Sequence, residues 1–333
     1  MILHPAIIAL VVGSLFISYL LLHSSYYGIQ ILRRWDITSG SELQLGLERK
    51  TYLISTIVSY AFGFQLISLF LFIYTADDLS RLFVGAMCAA GTLFVNPYGY
   101  PTLILKVVSF LLAGLWLVIN HTDSRAYDYP LIRKKYLLLL FITPFILAET
   151  VLQSGYFLGL NPNVITSCCG SLFSTEKAGI ASDIAAFPGA PMMAAFYGAV
   201  ALTLSAGAFL YLTKRGACLF SIVSGATFLL SVAALISFIS LYFYELPTHH
   251  CPFCILQKEY GYVGYPLYLS LLGGAVSGIG VGVVNPFRKV KSLERIVPSI
   301  QRRLTLASLI FFAIFTAIAT YRIVFSNLRL GGS

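Results

Sequence analysis

The chain has 333 residues, of which 58% are hydrophobic and 11% are charged, and its mean hydropathy is +0.84. Soluble domains carry about 25% charged residues, so this composition excludes a soluble globular protein and predicts an integral membrane protein. The net charge of +9 does not indicate nucleic acid as a partner, because most basic residues lie in loops between apolar segments.

Eight apolar segments are long enough to cross a bilayer, since about 20 apolar residues span its hydrocarbon core as a helix. They lie near residues 3–25, 52–75, 102–120, 135–159, 190–213, 217–244, 254–285 and 304–325. The first segment lacks the basic start and cleavage site of a signal peptide, so we expect it to remain as a span. The shorter run at residues 82–95 is expected to be re-entrant or interfacial.

Lys and Arg residues concentrate in alternate loops, at residues 33–50, 125–135, 214–215 and 288–303. Because cytoplasmic loops of membrane proteins collect these residues, the pattern predicts an all-α polytopic protein of the cell inner (plasma) membrane with both termini outside. Counting residues 82–95 as a further span would break the alternation.

Three parts are expected along the chain. Residues 1–133 hold three spans without a readable chemical motif. Residues 134–286 hold spans four to seven as a four-helix redox unit, and residues 287–333 hold a basic cytoplasmic loop and the last span. Span seven contains Gly274, Gly278 and Gly282, whose four-residue spacing predicts a face for close helix packing.

Two cysteine pairs are predicted on the outer, oxidising face of the membrane. Cys168 and Cys169 follow span four, and Cys251 and Cys254 begin span seven. Two thiol pairs on one face can pass electrons through mixed disulfides. Cys88, like Cys218, stands alone in the sequence and is expected to be an inert small residue.

The position of Cys251 at the start of a helix predicts an exposed first sulfur and a deeper second one. The helix dipole and protonated His249 and His250 are expected to lower the thiol pKa values. Two alternatives remain open: a stabilising disulfide, and a metal site built from His249, His250, Cys251 and Cys254.

The segment Cys251-Pro-Phe-Cys254-Ile-Leu-Gln257-Lys258-Glu259, followed by Tyr265-Pro266-Leu267, resembles the quinone-coupled, DsbB-type disulfide-forming oxidases. The order of spans over about residues 135–286 resembles the related vitamin K epoxide reductase family. That family has four spans, with a shuttle cysteine pair after the first and Cys-x-x-Cys at the fourth. The chain departs from the pattern in its adjacent Cys168-Cys169 pair and in having Lys258 where the oxidases have arginine.

The resemblance implies roles for individual residues. Cys254 would face a membrane quinone (ubiquinone or menaquinone), with Gln257 and Lys258 beside it. Cys251 would exchange with Cys168 or Cys169, or with an extracytoplasmic, periplasmic dithiol protein.

Glu149 is a carboxylate inside span four. Such a residue is a functional candidate by default. It is expected either to lie on the proton path to the quinone or to make a hydrogen-bonded helix contact.

The favoured function is therefore a membrane thiol–disulfide oxidoreductase that exchanges electrons between outer-face cysteines and quinone. One alternative is a multi-pass transporter or channel with structural cysteines. Another is a metal-binding or electron-transfer membrane subunit.

Overall fold

The computed structural model describes residues 4–37, 39, 41–166 and 180–328, and the regular structure in these ranges is entirely helical. Within these ranges, eight helical segments are long and apolar enough to cross a membrane, which confirms the predicted all-α, eight-span membrane protein. In chain order the helices are α1 (Pro5–Arg34), α2 (Glu42–Asp78), α3 (Ala89–Leu93), α4 (Gly99–Asp123), α5 (Ile132–Leu158), α6 (Ile180–Ala186), α7 (Gly189–Thr213), α8 (Ala217–Ala234), α9 (Ser240–Tyr244), α10 (Gly264–Val284) and α11 (Ile296–Phe325). A π-helical turn, Leu235–Ile239, joins α8 to α9 within one span.

The helices form two compact units, each made of separate stretches of the chain. The first unit comprises Met1–Thr75, Asn96–Leu160 and Pro286–Val297, and the second comprises Ala76–Val95, Asn161–Asn285 and Pro298–Ser333. This division differs from the expected boundaries near residues 133 and 286, because α5 belongs to the first unit and α11 mainly to the second.

Polar side chains of α5 explain its place in the first unit. The Thr150 hydroxyl lies 2.8 Å from the Ser18 hydroxyl of α1, and Gln153 Nε2 donates to the Leu10 carbonyl at 2.9 Å. Hydrogen bonds of this kind hold helices together where apolar surface gives little preference. These bonds join α5 to α1 within the first unit.

The second unit is built around α7, α8, α10 and α11. Phe196 of α7 lies edge-on to Phe238 and to Phe315 of α11, with both ring centroids 6.0 Å away. Ser308 of α11 donates to the Gly274 carbonyl of α10 at 2.9 Å.

The glycines of α10 form the packing face that their spacing predicts. A methyl group on Gly278 would lie 2.5 Å from the Ser224 side chain of α8, and one on Gly282 would lie 2.3 Å from Ser221. No side chain fits at these distances, so glycine is required for the observed approach of α8 to α10. The packing-face prediction is confirmed.

The run at residues 82–95 contains only the five-residue helix α3, so it is not a ninth span. Its α3 follows a 3₁₀ turn, Leu79–Leu82, at the end of α2. The segment is therefore a short connection between two spans, and it carries Cys88.

Candidate functional site

The Cys251–Cys254 segment lies in the connection between α9 and α10 and not on the first turn of a spanning helix. α10 begins at Gly264, ten residues later than expected from the apolar run. The chain takes a left-handed conformation at Gly261 (φ 65°) and Tyr262 (φ 57°), which stops a helix from continuing back to Cys254. The expectation that the dipole of this helix lowers the pKa values of the two thiols is therefore wrong, because neither cysteine lies on its first turn.

Two tyrosines fix the cysteine segment. The Tyr244 hydroxyl donates to the Cys251 carbonyl at 2.5 Å and accepts the Ile255 N–H at 3.0 Å. The Tyr268 hydroxyl donates to the Pro252 carbonyl. These bonds satisfy backbone groups in a segment whose regular structure is limited to the short 3₁₀ turn Cys254–Leu256, so they fix the backbone that carries the two sulfurs.

Cys88 lies against this turn. Its Sγ is 3.7 Å from the Cys251 Sγ, and the Sγ atoms of Cys88, Cys251 and Cys254 all lie within 4.8 Å of one another. All three side chains are buried, and none of the four cysteines in the described ranges forms a disulfide. We call this group the three-cysteine cluster. Cys88 was expected to stand alone as an inert residue, but it lies beside two other cysteines.

Gln257 and Asp77 hold the Cys88 segment at the cluster. Gln257 Nε2 donates to the Met87 carbonyl at 2.7 Å and to Asp77 Oδ1 at 3.1 Å. The same Asp77 oxygen accepts the Ala89 N–H at 3.1 Å. The residues on both sides of Cys88 are thus tied to Gln257, which the resemblance placed beside a quinone.

Both cysteines of the motif are buried, so the expected exposed first sulfur is not observed. Cys251 is 1% exposed and Cys254 is 6% exposed. The hydrogen bond that Cys251 makes with Cys254, together with burial, raises the pKa of the Cys251 thiol well above its usual range, although Cys88 opposes this. Cys251 is therefore a buried thiol in contact with the other two cysteines and not an exposed nucleophile.

His249 contacts the Cys254 sulfur. Its Nε2 lies 3.4 Å from the Cys254 Sγ, and its ring meets Tyr244 edge-on at 4.5 Å. Burial, and secondarily the neighbouring His250, lower the pKa of the His249 imidazole. A neutral imidazole at this distance can accept the thiol proton of Cys254. The expected positive charge on His249 is not favoured.

His250 points away to the preceding span. Its Nδ1 lies 2.9 Å from the Ile236 carbonyl, so this nitrogen carries the hydrogen and donates it. Ile236 lies in the π-helical turn Leu235–Ile239, where the ordinary helical register is interrupted. His250 therefore anchors the cysteine segment to that turn.

The other predicted site residues lie elsewhere or outside the described ranges. Cys168 and Cys169 fall outside the described residues. Lys258 is exposed in a short 3₁₀ turn, Lys258–Tyr260. The predicted disulfide exchange between Cys251 and the Cys168-Cys169 pair therefore stays a prediction.

Glu149 lies in the first unit, where it makes the helix contact that was one of its two expected roles. Lys106 Nζ is 2.8 Å from Glu149 Oε1, and Gln65 Nε2 donates to both carboxylate oxygens at 2.7 and 2.6 Å. Lys106 also donates to Ser68 Oγ at 3.2 Å. A buried charge is stable only when paired and hydrogen-bonded, and this cluster joins α2, α4 and α5 in that way.

One signal in the sequence points to Cys88. The alternation of basic loops puts the connection after span two and the connection after span six on the same face of the membrane. These connections carry Cys88 and the Cys251–Cys254 motif.

Comparison with protein-family models, with curated proteins and with solved structures found no match for this chain. The chemistry of the three-cysteine cluster is therefore inferred from its own geometry.

Proposed function

We propose that this protein is a membrane thiol–disulfide oxidoreductase whose redox centre is the three-cysteine cluster. The observation that carries the proposal is the 3.7 Å separation between the Sγ atoms of Cys88 and Cys251, with Cys254 in the same group. A disulfide bond is about 2.05 Å long, so the first two sulfurs need to approach by less than 2 Å to form one.

Three thiols in mutual reach permit an internal relay. Cys251 contacts both Cys88 and Cys254. In a Cys88–Cys251 disulfide, the Cys254 thiolate can attack the Cys251 sulfur, forming Cys251–Cys254 and releasing Cys88 as a thiol. Exchange of this kind needs only a thiolate in line with a disulfide. Cys251 is the member that both bonds share.

A partner dithiol would enter at Cys254, which is the least buried of the three residues. One partner thiolate attacks Cys254 of the Cys251–Cys254 bond and forms a mixed disulfide. The second partner thiol then displaces Cys254, leaving an oxidised partner and a reduced cluster. Cys88 and Cys251 next lose two electrons and two protons to a quinone, which becomes a quinol, and the Cys88–Cys251 disulfide is restored.

The quinone enters this proposal through the likeness of residues 251–267 to quinone-coupled oxidases. A lipid-soluble acceptor also suits a redox centre attached to eight apolar spans. Glu149 is not needed, because its carboxylate is already engaged by Lys106 and Gln65.

Turnover and disulfide mapping test the proposal together. Reduced protein in detergent is mixed with a quinone analogue and dithiothreitol, quinol formation is followed by absorbance, and disulfides are mapped by mass spectrometry. We expect a Cys88–Cys251 disulfide in the oxidised protein. Cys88→Ser, Cys251→Ser and Cys254→Ser should each reduce turnover to the uncatalysed rate.

Cys218→Ser is the matched control, because Cys218 is exposed and lies outside the cluster. It should leave turnover unchanged. Full activity in both Cys251→Ser and Cys254→Ser would refute the redox function. Full activity in Cys88→Ser alone would remove Cys88 from the relay.

A transporter or channel with structural cysteines is a second candidate. It is favoured by the Lys106–Glu149 pair, because ionisable residues within spans commonly line ion or substrate pathways. In that case transport would persist without the cluster cysteines, and wild-type protein would form no quinol.

A further inference from the structure

Three buried sulfurs from two distant parts of the chain lie close together. Cys88 lies 163 residues before Cys251, yet the three Sγ atoms fall within 4.8 Å of one another. Two thiols at 3.7 Å are simply in contact, and that alone requires no ligand. The Sγ of Cys254, within 4.8 Å of the other two, adds a third sulfur donor to this pair.

We propose that the reduced three-cysteine cluster binds a thiophilic cation with a filled d shell, Cu(I) or Zn²⁺, through the sulfurs of Cys88, Cys251 and Cys254. Thiolates select these ions over Mg²⁺ and Ca²⁺, which prefer oxygen. A Zn–S bond of about 2.3 Å in a tetrahedral site places two sulfurs about 3.8 Å apart. The Cys88–Cys251 separation of 3.7 Å meets that requirement without rearrangement.

The coordination number distinguishes the two ions. Three sulfurs complete a trigonal Cu(I) site. Zn²⁺ takes four ligands, and His249 Nε2, which lies 3.4 Å from the Cys254 Sγ, would supply the fourth. Neither His249 nor His250 belongs to the group within 4.8 Å, so the donor set differs from the His249, His250, Cys251 and Cys254 set expected from sequence.

Metal binding does not depend on the proposed redox function, and the metal-bound cluster and the Cys88–Cys251 disulfide cannot exist in the same molecule. A Cys88–Cys251 disulfide would consume two of the three ligands, so oxidation would release the ion. Binding is measured on reduced protein without quinone or oxidant. Failure of turnover therefore leaves this inference standing, and failure of binding leaves the redox proposal standing.

The test uses the full chain in detergent with Cys168→Ser, Cys169→Ser and Cys218→Ser, so that the cluster holds its only thiols. In one arm Zn²⁺ is added and its affinity is measured by competition with a chromophoric chelator. In the other arm Cu(I) is added anaerobically with a Cu(I)-specific chelator. We expect a single ion per chain in at least one arm and no competition from excess Mg²⁺.

Adding Cys88→Ser, Cys251→Ser or Cys254→Ser to this background should weaken binding at least about 100-fold. Loss of a mere hydrogen-bond partner of a ligand costs roughly 10–100-fold, so a direct ligand should exceed that range. His249→Gln should weaken Zn²⁺ and leave Cu(I) unchanged. Undiminished affinity in Cys88→Ser, or no binding in either arm, would overturn the proposal.

A second measurement needs no cluster variant. Wild-type reduced protein is incubated with each ion and alkylated with iodoacetamide while still folded in mild detergent, and the modified peptides are then quantified. The bound ion should slow modification of Cys88, Cys251 and Cys254 together and leave Cys218 unaffected. Equal modification of all four cysteines with and without the ion would contradict metal binding even if every variant failed to fold.

Discussion

Gln257 connects two chain segments at the three-cysteine cluster. Its Nε2 bonds to the Met87 carbonyl and to Asp77, and Asp77 in turn accepts the Ala89 N–H. Cys88 lies between Met87 and Ala89, so its position beside Cys251 depends on these bonds. Gln257 is therefore a positioning residue for the cluster.

Replacing Gln257 tests this role. Gln257→Glu keeps the length of the side chain but removes the donor and turns a carboxylate toward Asp77. A lost hydrogen bond of this kind costs about 1–2 kcal/mol, so formation of the Cys88–Cys251 disulfide under mild oxidation should slow about tenfold. The disulfide is quantified by mass spectrometry at set times.

Glu259→Gln is the control, because Glu259 is exposed in the neighbouring turn. It should form the disulfide at the wild-type rate. Alkylation of the unfolded protein should be the same in all variants, which separates positioning from intrinsic thiol reactivity. A wild-type rate in Gln257→Glu would show that Cys88 is held by other contacts.

Single residues show why the site was only partly predictable. The Cys251–Cys254 motif is local and is visible in the sequence. The neighbour of Cys251 is a lone cysteine 163 residues away, and nothing in its local sequence distinguishes it from a buried small residue. The relative burial of Cys251 and Cys254 depends on the turn between α9 and α10, which the apolar run conceals.

Among the helices, α10 combines a long apolar sequence with close packing against α8 and α11. Gly278 faces Ser224 of α8 and Ser308 of α11, and a methyl group there would lie 2.5 and 2.9 Å from them. Small residues give spanning helices their van der Waals contact, because lipid tails provide no hydrophobic driving force between helices.

Gly278→Ala should destabilise the protein by about 1–3 kcal/mol, because overpacking forces neighbouring groups to shift. Gly198→Ala in α7 is the matched control, since its methyl group would have nothing within 4 Å. It should be neutral or stabilising by up to about 1 kcal/mol, as alanine is the better helix former. Thermal unfolding in detergent measures both, and equal shifts would show that the α8–α10 contact is not limiting.

The beginning of α10 shows the limit of hydropathy at the scale of elements. The apolar run starts near residue 254, but the helix starts at Gly264. Hydropathy reports that a segment avoids water and does not report its backbone conformation. The left-handed residues at Gly261 and Tyr262 decide where the helix begins.

Across the whole molecule, the alternation of basic loops predicts that the cysteine cluster faces the outside. The number of spans on which this prediction depends is confirmed. One of the residues counted toward it, Lys135, is buried within α5 and pairs with Asp123 at 2.9 Å. The orientation therefore rests on the remaining exposed basic residues, such as Lys214 and Arg215.

Labelling the two ends of the α8–α9 span tests this orientation. Thr248→Cys and Arg215→Cys are made singly in a chain without its natural cysteines, and both positions are exposed. A membrane-impermeant maleimide added to right-side-out vesicles should label Thr248→Cys. Arg215→Cys should react only after permeabilisation, because basic loops remain cytoplasmic. The reverse pattern would place the three-cysteine cluster in the reducing compartment.

The sequence by itself determined the membrane class, the eight spans, the small-residue face of α10 and the presence of the Cys251–Cys254 motif. Each of these depends on composition or on neighbours within a few residues. Only the tertiary structure brought Cys88 to Cys251, paired Glu149 with Lys106, and grouped α5 with α1. These outcomes depend on which helices lie side by side, and apolar segments that are all equally suited to lipid do not specify their partners.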